Sequence, residues 1–190
     1  MKLLLLGDSL FARCEGKQIP HIEYSLHQLA TDLSIENWAV PGDNSFDLLA
    51  HLVERKLPDC DRVVVFIGAN DLAQHKQVFL GEYQANLGLI VQELKKQFSS
   101  EQILLMTPAP VDEKKQVYRT NRLVALYGEV VKKMACQEGV DLLDTVALFD
   151  GQALPVSDLL KGQLDDGVHF GSLAYGLLAE GILARILERT

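Results

Sequence analysis

Four short segments of the chain carry residue types capable of chemistry. Gly7-Asp8-Ser9-Leu10 offers a serine hydroxyl, which becomes a nucleophile only when a base takes its proton. Asp166-Gly167-Val168-His169 offers such a base. Its three-residue spacing lets the carboxylate accept a hydrogen bond from the imidazole, fix its tautomer and stabilise the imidazolium as it forms. Gly68-Ala69-Asn70-Asp71 presents an amide donor suited to a developing oxyanion. Pro41-Gly42-Asp43-Asn44-Ser45 is a turn whose glycine can expose its N–H with no side chain in the way.

Each segment has a plainer reading when taken alone. Ser9 in a Gly-Asp-Ser turn is a natural helix N-cap, Asn70 an Asx turn, and Pro41 to Ser45 an ordinary turn. The Asp166/His169 pair is also a metal-like pair, but it lacks further His, Cys or Asp ligands at recognisable spacing. Phe11 stands where a G-x-S-x-G elbow needs its last glycine, and no phosphate-cradling glycine fingerprint is present. Asp8 and Asp71 read as turn-holding residues. His21, His27 and His51 fall on expected helices as partly exposed residues, which leaves His75, four residues after Asp71, as the one rival base to His169.

These segments need a scaffold that brings loops together. Short apolar runs alternate with longer amphipathic stretches, the pattern of a parallel sheet with crossover helices. Strands are expected at 3–6, 36–40, 62–67, 102–106 and 140–143, with the first, third and fourth central because they are almost wholly apolar. Helices are expected around 21–33, 46–56, 82–98, 120–138 and 172–187. Leu26, Leu29, Ala30 and Leu33 form one apolar stripe, Leu87, Ile90, Val91 and Leu94 another, and Gly139 is a C-cap. Residues 144–170 show little periodicity and read as a long functional loop. In an open α/β sheet, ligands sit beyond the carboxyl ends of the strands, where three of the four segments fall, with the fourth just ahead of the last helix.

Composition narrows the classes. The chain has 190 residues, a length that fits one domain, 1–190, with no repeat or linker to divide it. A net charge of −8 and a pI near 5.1 argue against a nucleic-acid partner. Lys95-Lys96 and Lys132-Lys133 are isolated basic pairs on solvated helix faces. The four leucines after Lys2 stop at Gly7, short of the roughly 7 to 15 apolar residues of a signal peptide core, and no run reaches the length of a membrane span. Three widely spaced cysteines, Cys14, Cys60 and Cys136, suggest a reduced, cytoplasmic setting.

In this order, the four segments resemble the blocks that define the SGNH/GDSL hydrolase superfamily, across nearly the whole chain. The resemblance implies a three-layer α/β/α, flavodoxin-like fold with a five-stranded parallel sheet. It also implies a serine esterase with Ser9, Asp166 and His169 as catalytic residues and an oxyanion hole from Ser9 N–H, Gly42 N–H and the Asn70 amide. No metal or organic cofactor is required. Leu104 to Asp112, followed by Arg119-Thr120-Asn121, is similar to the isoamyl-acetate-hydrolysing esterase branch and related bacterial lipase/acylhydrolases, although Ala109 interrupts that branch's Pro-Pro-Pro-like turn. The expected substrate is a small ester with a short acyl chain. Carbohydrate acetylesterase, lysophospholipase and thioesterase activities are the alternatives within the enzyme class. A noncatalytic flavodoxin-like binding module is the alternative outside it, and such a module has no need of the complete Ser/Asp/His set. An exposed apolar groove near 144–170 would reopen the lipid option.

Overall fold

The computed structural model describes residues 1–188. Five parallel strands, β1 (Lys2–Gly7), β2 (Ser34–Asn37), β3 (Arg62–Phe66), β4 (Ile103–Met106) and β5 (Asp141–Leu143), form one sheet in the order β2-β1-β3-β4-β5. The order reverses at β1, so the loops after β1 and β3 diverge over a crevice at the carboxyl edge. β1, β3 and β4 are the interior strands, as their apolar composition requires.

Alternation along β1 explains the two layers of helices. Leu4 and Leu6 pack with α3 (Ser45–Glu54), α4 (Leu80–Leu94) and α5 (Asn121–Glu138) on one face. Leu3 and Leu5 pack with α1 (Ser9–Ala12), α2 (His21–Leu29), α6 (Thr145–Asp150), α7 (Val156–Leu159) and α8 (Ser172–Leu187) on the other. All four leucines are fully buried, because helices cover both faces of the strand. No helix among the described residues is long and apolar enough to cross a membrane.

Registry between β1 and β3 runs over five pairs, from Leu3 opposite Arg62 to Gly7 opposite Phe66. The last pair tolerates only glycine, since a Cβ on Gly7 would lie 2.4 Å from the Phe66 carbonyl oxygen. The loops that start at Asp8 and at Ile67 therefore leave the sheet side by side.

Several expected boundaries move, each for a local reason. β2 ends at Asn37, short of Val40. The Asn37 side chain accepts from Ala39 N and donates to Phe11 O and Glu23 Oε1, which bends the backbone, while Trp38 N and Val40 N still bond to Leu5 and Gly7 of β1. α2 stops at Leu29, with Ala30 extended at φ −142°. Leu29 is consequently exposed, and Leu33 reaches the core from beyond the helix. Residues 144–170 hold α6, capped by the Asp144 side chain on Ala147 N, and α7 after Pro155. Helices of six and four residues are too short to show a helical period. Gly139 does cap α5, in the left-handed conformation at φ 64°.

Truncation of Leu5 to Ala is expected to remove about 2–5 kcal/mol of stability, since it opens a cavity between two strands and a helix layer. Leu29→Ala should change stability by less than about 0.5 kcal/mol, as its side chain lies outside the core. Urea denaturation of the two variants against the wild type checks both values.

Candidate active site

The first segment places its serine through a cap. Asp8 is extended, its carboxylate accepts from Leu10 N at 2.9 Å, and Ser9 opens the short helix α1. Ser9 Oγ then lies 2.9 Å from His169 Nε2, and His169 Nδ1 lies 2.7 Å from Asp166 Oδ2. The other carboxylate oxygen, Asp166 Oδ1, accepts from the backbone N–H groups of Val168 and His169, each at 3.0 Å. Two carboxylate oxygens held by three donors leave the side chain one orientation. Burial raises the Asp166 pKa, but those two N–H donors and the imidazole outweigh it and hold the carboxyl below its ordinary range. An ionised carboxylate is an acceptor only, so Nδ1 carries the proton. Nε2 is left as the acceptor for the Ser9 hydroxyl, the arrangement a general base needs.

Asn70 collects the other two segments. Its Nδ2 donates to Asp43 O at 2.8 Å and to Asp8 Oδ2 at 3.3 Å. Gly42, one residue before Asp43, has φ +93°, a backbone region that side chains disfavour, and its N–H has no hydrogen-bond partner among the described residues. Asp71 secures the same turn from below: its Oδ1 accepts Ser45 N at 2.9 Å, at the start of α3. On the far side, His51 Nε2 pairs with Asp43 Oδ2 at 3.1 Å, and Lys76 Nζ reaches Gly42 O at 3.5 Å.

Two buried carboxyls lie behind the serine. Burial raises both Asp8 and Asp71, and Asp8 is pushed up to about 7; its hydrogen bond from Leu10 and the charges of Arg119 and Lys76 pull it down, while Asp71 pushes it up. Arg119 donates through Nε to Ala69 O at 2.6 Å and through Nη2 to Asn70 Oδ1 at 3.2 Å.

All four chemically promising segments thus converge at the carboxyl edge of β1 and β3. Ser9 and His169 are half-buried, open to solvent on one side. His75 is instead exposed and packs against the Tyr118 ring, 4.5 Å between centroids. His21 departs from its expected exposure: it is buried and stacked on Tyr175, with 4.6 Å between ring centroids. Thr120 caps α5, whereas the Asn121 side chain bonds both N and O of Val111 and shapes the loop after β4. Arg119, which enters the sequence reading only through the branch resemblance of Arg119-Thr120-Asn121, is given no role at the site there, yet it contacts Asn70. A lone arginine in a polar loop has no spacing signature, and only its contact with Asn70 distinguishes it.

Residues 5–177 match the sequence profile of the GDSL-like Lipase/Acylhydrolase family. A GDSL esterase/lipase of Arabidopsis thaliana is 31% identical over 155 residues, 66% of this chain and 61% of that protein. The chain therefore spans about three fifths of the length of that curated relative. Among solved structures, the lipase/acylhydrolase of Enterococcus faecalis superposes with a TM-score of 0.83 at 24% identity, covering 99% of this chain and 96% of that one, a likeness of fold. A catalytic mutant of an acetylxylan esterase from Geobacillus stearothermophilus superposes with a TM-score of 0.76 at 27% identity, over 97% of this chain and 93% of that one.

The raised pKa of Asp8 has a signed consequence for stability. Between the ordinary carboxyl value of 3.8 and about 7, the folded chain keeps a proton that the unfolded chain has released. Asp8 therefore lowers stability progressively as pH rises through that window. Asp8→Asn cannot ionise and should lose this slope, so the variant gains on the wild type by about 3 kcal/mol between pH 4 and 7. Chemical denaturation of both proteins at several pH values in that range measures the difference.

Proposed function

The chain belongs to the GDSL-like lipase/acylhydrolase family, and from that membership we propose that it hydrolyses carboxylic esters of small molecules through an acyl-enzyme on Ser9. The observation that carries this reading is the unbroken relay from Ser9 Oγ to His169 Nε2 at 2.9 Å and from His169 Nδ1 to Asp166 Oδ2 at 2.7 Å.

His169 Nε2 takes the Ser9 proton as Oγ attacks the ester carbonyl, and the carbonyl π electrons move onto oxygen. Ser9 N–H, Gly42 N–H and the Asn70 amide stabilise that oxyanion. Collapse of the intermediate breaks the bond to the alcohol, which leaves with the proton from His169. A water molecule then gives its proton to His169 and attacks the acyl carbon, and a second collapse breaks the bond to Ser9 Oγ, which takes that proton from His169 as the acid is freed. Asp166 stays ionised throughout and orients the imidazole. Every proton moves between groups of this chain, substrate and water.

Short acyl groups suit the site best. Ser9 and His169 are half-buried rather than enclosed, so the reacting ester meets a partly open edge of the sheet. Likeness to an acetylxylan esterase favours acetyl esters of carbohydrates within this class. A specific observation favours lipid esters as the second reading: Leu154 and Leu173, both exposed, line a largely apolar cavity of about 380 Å³ between α8 and the loop that joins α6 to α7. Three free cysteines fit a reducing cytoplasm.

Ser9→Ala is expected to abolish hydrolysis of p-nitrophenyl acetate and labelling by a fluorophosphonate while the protein stays folded; full activity in that variant overturns the reading. Asn70→Ala should lower kcat about 10²- to 10³-fold with little change in KM. At fixed alcohol, kcat/KM should fall from acetyl to decanoyl esters, and the opposite order favours lipid esters.

A further inference from the structure

We propose that Arg119 is a positioning residue for the oxyanion hole, acting through Asn70; the inference rests on the serine-esterase reading of the site. The primary amide of Asn70 is useful only one way round. With Nδ2 toward the reacting carbonyl it stabilises negative charge, and with Oδ1 there it repels it. An amide side chain can exchange these two ends by a half-turn about its terminal bond.

Arg119 removes that freedom. Guanidinium groups only donate, so the Asn70 atom 3.2 Å from Arg119 Nη2 has to be the oxygen. A second bond from Nε to Ala69 O at 2.6 Å grips the neighbouring backbone, so one planar fork holds both the peptide and the side chain that follows it. Asp43 O, at 2.8 Å, is an acceptor and enforces the same orientation from the opposite end of the amide. Donor on one side and acceptor on the other define a single state.

The fork also adds charge where it is useful. No carboxylate lies within ion-pair distance of Arg119 among the described residues, and Asp8 and Asp166 act on it only from longer range. Its permanent positive charge therefore falls on Asn70 Oδ1, draws electron density from the amide and strengthens Nδ2–H as a donor. Asp8 Oδ2, the weaker of the two acceptors at 3.3 Å, is the partner an oxyanion has to displace. Arg119 further touches Gln116 Oε1 at 3.5 Å, while Gln116 Nε2 reaches Asp166 O at 3.4 Å, so the loop before α5 borders both the oxyanion donor and the carboxylate that orients His169.

A residue that merely supported the fold would reduce stability and leave the kinetic pattern alone. Arg119→Met is expected to lower kcat for p-nitrophenyl acetate by about 10- to 100-fold with KM within about twofold, a part of the loss seen on deleting the donor itself. In an Asn70→Ala background the same substitution should change kcat by less than about twofold, because its effect passes through the missing amide. Arg119→Gln, which keeps a planar donor without the charge, replaces Met in the same cycle should the Met variant not fold. Equal losses of kcat in both backgrounds, or a rise in KM alone, overturn the inference. Ser9→Ala, assayed alongside, separates the two levels. Retained hydrolysis there defeats the esterase reading, whereas an inactive Ser9→Ala together with fully active Arg119 variants defeats only the role of Arg119.

Discussion

The close approach of β1 to β3 at Gly7 and Phe66 governs the site. Five consecutive register pairs end where no side chain fits between the strands, so the chain leaves both at the same height and the same edge. Asp8, Ser9 and Asn70 become neighbours for that reason, although more than 60 residues separate Asn70 from Asp8 in sequence. The bond between Asn70 and Asp43 then draws in the turn before α3. His169 arrives from the far end of the chain, at the start of α8, and reaches Ser9 across 160 residues.

Polar groups at this edge form a small closed system beside a largely apolar core. Asp8 and Asp71 are buried carboxyls, and desolvation raises the pKa of both. Arg119 and Lys76 supply positive charge nearby, and backbone N–H groups of Leu10 and Ser45 take up one oxygen of each carboxyl. The groups sit beside Ser9 and are held there by backbone N–H donors and neighbouring side chains. Asp166 differs in kind. It is half-exposed, carries three donors and remains ionised, which is the condition under which it can orient the imidazole.

Much of the architecture was legible because buried strands and amphipathic helices write their burial into residue type. Leu3 to Leu6, Val63 to Val65 and Ile103 to Met106 are apolar on both faces, and those are the interior strands. Leu87, Ile90, Val91 and Leu94 are all buried along one side of α4. Errors fell where a side chain redirects the backbone, as Asn37 does at the end of β2, or where a helix is shorter than two turns, as in α6 and α7. His21 misled for a related reason: a histidine stacked on a buried tyrosine is indistinguishable in sequence from one on a wet helix face.

By itself, the sequence determined which chemistry was available. Serine, histidine, aspartate and asparagine stand in four short blocks, each next to a turn signal and an apolar run, and local spacing is enough to pair Asp166 with His169. Tertiary structure alone decided that these blocks meet, how far Ser9 Oγ lies from His169, and which way the Asn70 amide faces. That last choice depends on Arg119 and Asp43, which come from different loops and are brought together only by the crossovers of the sheet. Contacts of that kind have no period and no local signature, so they enter with the fold.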